Sequence, residues 1–152
     1  LILDLPIRRV TITEYNNAKR ELENYIKEKQ GDFDFNDKAK MHIFAGTMSR
    51  YEYQQTNDIL QVEIHIVRFG DVAFATNPFE LFLDYGNQIK ARSKASQTFL
   101  IQLANGNYGY LPTKKAEQGS HYSAYVSSGI TGHQGGELLV RKTVQKINEM
   151  WD

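Results

Sequence analysis

A chain of 152 residues is long enough to bury one real core and too short to suggest several domains. Its 41% hydrophobic and 24% charged residues are ordinary for a globular chain, and eighteen basic residues balance eighteen acidic ones, so no bulk charge points to nucleic acid or an anionic membrane. Cysteine is absent, which excludes disulfides and thiolate metal sites, and no apolar run approaches the roughly 20 residues that span a bilayer as a helix.

The start, Leu1-Ile2-Leu3-Asp4-Leu5-Pro6, has no methionine and is too short and acidic for a secretory signal, so the chain reads as cut from something longer. Ile7 to Ile12 alternates and is rich in β-branched residues, which predicts a strand. Thr13 then offers an N-cap, and Ala18, Leu22, Tyr25 and Ile26 carry helical spacing to about Lys29. A turn-rich link from Gly31 leads to a second helix, capped by Asn36 or Asp37. It carries Ala39, Ile43, Phe44 and Met48 inward and ends near Tyr53.

Ile59 to Phe69 alternates as one strand, Gly70-Asp71 is a hairpin signal, and Val72 to Ala75 returns as a buried strand. A helix is expected from Pro78 to about Ser93; Lys90, Arg92 and Lys94 read as its solvated face. Thr98 to Leu103 is a further buried strand, closed by the Asn105-Gly106 turn. Residues 105–135 look like loop, and Gly136 to Trp151 forms a terminal helix. The order β-α-α-β-β-α-β-α predicts a single α/β domain, a mixed sheet with helices packed on it.

The chemistry-bearing groups gather at predicted strand ends, where rigid sheets meet variable loops. Asn77-Pro78-Phe79-Glu80 has the pattern of a capping box with Pro at the first helical position, so Glu80 is either a helix cap or a carboxylate pointing into a cleft. Tyr108, Tyr110 and Tyr122 stand among Gly and Pro, as loop anchors or as phenols in a site. The four histidines form no H-x-x-x-H or H-E-x-x-H pair, and no G-x-S-x-G elbow supports Ser120, Ser123, Ser127 or Ser128 as a nucleophile. Gly132-His133-Gln134-Gly135-Gly136 before a helix is a weak anion-binding pattern and does not match a Walker A loop.

Taken together, Phe69-Gly70-Asp71 through Asn77-Pro78-Phe79-Glu80, Leu103-Ala104-Asn105 through Tyr110-Leu111-Pro112-Thr113, and His121-Tyr122 before an amphipathic helix resemble the C-terminal part of the catalytic domain of neutral (alkaline, non-lysosomal) ceramidases, more closely their bacterial relatives. The resemblance covers about residues 38 to 152. It implies part of a larger layered α/β catalytic domain that hydrolyses the N-acyl amide of ceramide, or a related lipid amide, with one zinc ion, in a secreted or periplasmic enzyme. Glu80 matches the family's carboxylate ligand and Tyr110, five residues after Asn105, its phenolic ligand. Tyr122 matches the tyrosine that steadies the oxyanion of the tetrahedral intermediate.

Two positions depart from the family: Phe79 stands where the Pro-Gly-Glu turn has glycine, which is expected to reshape the pocket beside the metal, and Ser123 replaces the acid that usually follows the third tyrosine. The family's two histidine ligands and catalytic serine lie in a preceding section that this chain lacks, so the chain alone is expected to be inactive. Its partners would be the lipid amide and that N-terminal part of the same domain. The competing reading is a non-catalytic module of the same fold that binds a ligand or partner.

Overall fold

A computed structural model describes residues 1–152. It is a mixed α/β structure with five α-helices and three small sheets rather than one continuous sheet. Strand β1 (Ile2–Pro6) is followed by helices α1 (Ile12–Lys29) and α2 (Phe35–Tyr53), then β2 (Ile59–Glu63), β3 (Ile66–Phe69), β4 (Val72–Thr76) and β5 (Glu80–Leu81). Next come α3 (Leu83–Arg92), β6 (Gln97–Ile101), β7 (Tyr110–Leu111), α4 (Lys114–Gly119), two single 3₁₀ turns at Tyr122–Ala124 and Val126–Ser128, and α5 (His133–Asn148).

The two long N-terminal helices begin at capping boxes. Thr11 accepts from the Glu14 amide while Glu14 accepts from the Thr11 amide, at 3.2 and 2.7 Å. That reciprocal pair starts α1 at Ile12, so the expected strand over Ile7–Ile12 does not form and the first strand lies earlier. Asp34 and Asp37 make the second box, with the N-cap at Asp34, two or three residues before the expected α2 caps. Asp37 is also the buried anchor between the helices: Tyr25 donates to it at 2.6 Å and the Lys29 ammonium lies 2.9 Å away. Those donors hold its carboxyl well below the usual carboxylate range.

The expected strand from Ile59 to Phe69 is two strands, because the pairing partner changes at Ile64-His65. Before the break, β2 pairs antiparallel with β1; after it, β3 turns through Gly70 into an antiparallel hairpin with β4. At the junction the Ile64 amide donates to Leu1 and the His65 amide to the Thr76 hydroxyl. β4 then pairs in parallel with β6. Alternation survives the break: Leu60, Val62 and Ile64 are buried, as are Ala73 and Ala75 on β4.

The core lies between these strands and helices α3 and α5, with Leu3, Leu5, Val62, Phe79, Ile89, Leu111, Leu139 and Ile147 fully or almost fully enclosed. The close approach of α5 to α3 requires a glycine: a Cβ on Gly136 would overlap the phenol of Tyr85, whose hydroxyl donates to the Pro112 carbonyl at 2.9 Å. The α1–α2 pair sits to one side and is tied back by polar side chains. Buried Gln54 bonds both the amide and the carbonyl of Val10, and Arg50 donates to the carbonyls of Arg8 and Ile130. Ala39, expected to face inward, is exposed on α2, whereas Ile43, Phe44 and Met48 are half-buried. Lys90, Arg92 and Lys94 are exposed, as a solvated face requires.

Candidate functional site

The parallel pair β4 and β6 delivers both halves of the site. Beyond β4 the buried Asn77 donates its amide to Ile101 at the end of β6, and its side chain accepts the Phe79 amide at 3.1 Å. This is a turn closed by Asn77 itself, so the predicted capping box with Glu80 does not form. The chain instead makes β5, and α3 starts only at Leu83. Phe79 is fully enclosed and packs near Tyr108, ring centroids 6.1 Å apart. Its side chain therefore fills the core beneath the turn and does not line the groove beside Tyr110.

β5 pairs in parallel with β7, in the register Glu80↔Tyr110 and Leu81↔Leu111. Residues opposite one another in a sheet share a face, and successive residues alternate faces. Leu81 and Leu111 point into the core, at 8% and 0% exposure, which directs half-buried Glu80 and Tyr110 together to the other side. The register that buries two leucines thus aligns the two candidate metal ligands.

Tyr122 arrives from a different direction. Gly109, in left-handed backbone at φ +74°, forms an isolated bridge with Gly129. A Cβ on Gly109 would overlap the Ser128 carbonyl oxygen, and one on Gly129 would overlap that of Tyr110, so the two backbones meet only because neither residue has a side chain. This contact seats the 3₁₀ turns against β7, and the Ser128 hydroxyl donates to the Tyr122 carbonyl. The Tyr122 ring then meets Tyr110 edge-on, centroids 5.6 Å apart at 87°, with the two hydroxyls sharing a hydrogen bond at 3.2 Å.

The electrostatics follow from that cluster. The Tyr122 hydroxyl, and then the Glu80 carboxylate beside it, raise the pKa of the Tyr110 phenol well above the ordinary tyrosine value. Either phenol can donate in the bond that Tyr110 shares with Tyr122. A cation beside Glu80 would oppose the rise in the Tyr110 pKa by favouring the ionised phenol.

The donor chemistry fits half of a zinc shell. A carboxylate and a phenol converge, but structural and catalytic zinc sites use three or four protein ligands, and the chain brings no group of three or more His, Asp or Glu side chains together. His42 lines the neighbouring groove, His65 is exposed 3.6 Å from Glu63, and His121 is exposed at the start of the first 3₁₀ turn. His133 is engaged elsewhere: its amide and its Nδ1 contact the two Glu117 oxygens at 2.7 and 2.8 Å. The helix N-terminus flagged by Gly132-His133-Gln134-Gly135-Gly136 is therefore occupied by the chain's own carboxylate.

Alongside the two phenols runs a groove of about 720 Å³. One wall is α2, through Phe35, Lys38, Ala39, His42 and Ile43; the other is Tyr110, Tyr122 and Tyr125, with Ser127 and Ser128. Sequence reasoning missed the α2 wall. The available signal was Phe35, an aromatic at a helix start that no core position claims and that is 84% exposed. Ser123 does not line the groove, and Ser120 lies apart from it, toward Glu117.

Comparison with protein-family models, with curated proteins and with solved structures gives no match in any of the three.

Proposed function

We propose that this chain is the C-terminal portion of the catalytic domain of a zinc-dependent amidohydrolase similar to the neutral ceramidases, acting on the N-acyl amide of ceramide or a related lipid amide. The observation that carries the reading is the convergence of three residues spread across 43 residues of chain: Glu80 stands opposite Tyr110 in the β5–β7 register, and Tyr110 shares a hydrogen bond with Tyr122 beside an apolar groove. Glu80 and Tyr110 would hold the zinc, which supplies Lewis-acid polarisation of the amide carbonyl when bound. Tyr122, 66% exposed and hydrogen-bonded to Tyr110, would donate to the oxyanion as the carbonyl becomes tetrahedral. The groove would take the hydrocarbon.

On this reading two ligands of four lie in this chain, and the remaining ligands and the serine nucleophile come from a preceding part of the same domain. The test has two arms. The 152-residue chain should show no stoichiometric zinc binding at micromolar concentration; tight binding would contradict the half-site. A longer protein carrying the histidines and serine should hydrolyse lipid amides, lose that activity to a chelator, and lose at least about 100-fold of it on Tyr122→Phe. Retained activity in Glu80→Gln and Tyr110→Phe would rule out their assignment as ligands. A non-catalytic binding module of the same fold is favoured by one observation, the direct hydrogen bond to Tyr122 that already engages the Tyr110 hydroxyl. Absence of hydrolysis together with intact lipid binding would select it.

A further inference from the structure

We infer that the groove beside Tyr110 selects amides whose polar end is anionic, such as an N-acyl amino acid, over amides with a neutral head. This inference rests on the lipid-amide reading above and narrows its substrate. Positions 35, 39 and 43 of α2 are spaced i, i+4, i+8, so Phe35, Ala39 and Ile43 form one apolar stripe along the groove wall. Lys38 and His42, also i, i+4, form a second stripe beside it that carries only nitrogen groups. An acyl chain on the first stripe therefore lies next to hydrogen-bond donors and a positive charge along the second.

The groove has no counter-charge of its own. None of its ten lining residues is acidic. Lys38 makes no ion pair. The nearby acids of α2 are already committed: Asp34 caps the helix, and Asp37 is buried against Tyr25 and Lys29. Glu80 lies at Tyr110 and does not line the groove. Position 123, next to Tyr122, is a serine and supplies no carboxylate either. An unpaired ammonium on an apolar wall, with hydroxyls opposite, recognises a carboxylate at the end of a hydrocarbon chain.

The experiment is equilibrium binding to the 152-residue chain, by calorimetry below the micellar concentration, of two probes with the same chain: N-dodecanoylglycine and N-dodecanoylethanolamine. The anionic probe should bind about two- to fivefold more tightly, as expected for one exposed charge pair. That preference should shrink between 50 and 500 mM salt. Lys38→Gln should abolish it and Lys38→Glu should reverse it; Lys38 is exposed, and circular dichroism checks that both variants fold. Equal affinities, tighter binding of the neutral probe, or a preference that survives Lys38→Gln overturns the inference and leaves the lipid-amide reading standing. Failure of both probes to bind removes that reading along with it.

Discussion

The helical pair α1–α2 and the segment from Asn77 to Gly129 are built by opposite means. Each helix starts from a box closed within four residues, Thr11 with Glu14 and Asp34 with Asp37. The site has no such local device. Its strands β5 and β7 are two residues long, its bridge joins Gly109 to Gly129, and its phenols meet across twelve residues of chain. A helix start survives on its own sequence, whereas the site exists only when distant segments are in place together. Local damage should therefore be graded in the helices and all-or-none at the site.

The contrast breaks most sharply at Gly129. In Gly129→Ala the new methyl overlaps the Tyr110 carbonyl, a backbone atom that cannot swing away, so we expect a loss toward the upper end of about 1–3 kcal/mol in denaturant unfolding. The Tyr110–Tyr122 contact should be lost with it. A smaller and purely local effect is expected from Thr11→Ala, about 1 kcal/mol, with the site's tyrosine environment unchanged in near-ultraviolet circular dichroism.

Acid should act on the helical pair before the site. The folded-state pKa of Asp37 is depressed, so its contribution is present above the unfolded carboxylate value near 4 and is lost as pH falls below it toward the folded value. Unfolding measured between pH 5 and 2 should show this loss, and Asp37→Asn should remove that part of the pH dependence. The smallest stability effect, within about 0.5 kcal/mol, is expected for Tyr122→Phe, since the hydroxyl removed belongs to an exposed side chain. Its signature is spectroscopic. Tyr110 in the parent ionises above the free-tyrosine value near 10, as does Tyr85 by burial, and alkaline absorbance titration of the variant should bring the Tyr110 transition down.

The same contrast explains what was legible in the sequence. The existence of α1, α2 and α5 and the Gly70 hairpin read correctly because their signals are contained in the windows that fold, whereas the inward placing of Ala39 and the start of α3 did not. The α1 boundary was misplaced by two residues, since Thr13 is as good a cap in isolation as Thr11; the Glu14 partner decides between them. Asn77-Pro78-Phe79-Glu80 misled for a related reason. Its residues suit a capping box, yet pairing of Glu80 with Tyr110 outbids a helical first turn by burying Leu81 on Leu111. Glu80, Tyr110 and Tyr122 were legible only as a set, through the motif order. The α2 wall was not: Phe35 marks an unclaimed apolar group at a helix start, but neither it nor Lys38 tells that a tyrosine turn lies across from them.

Glu117 carries a consequence for how the molecule opens. The His133 amide would be an orphan donor in the first turn of α5; its acceptor sits sixteen residues upstream on α4. Fraying α4 therefore unties the end of α5, and the two should exchange amide hydrogens with solvent as one cooperative unit. The chain connecting the two phenols contains α4, so opening of that unit should loosen the spacing of Tyr110 and Tyr122 as well.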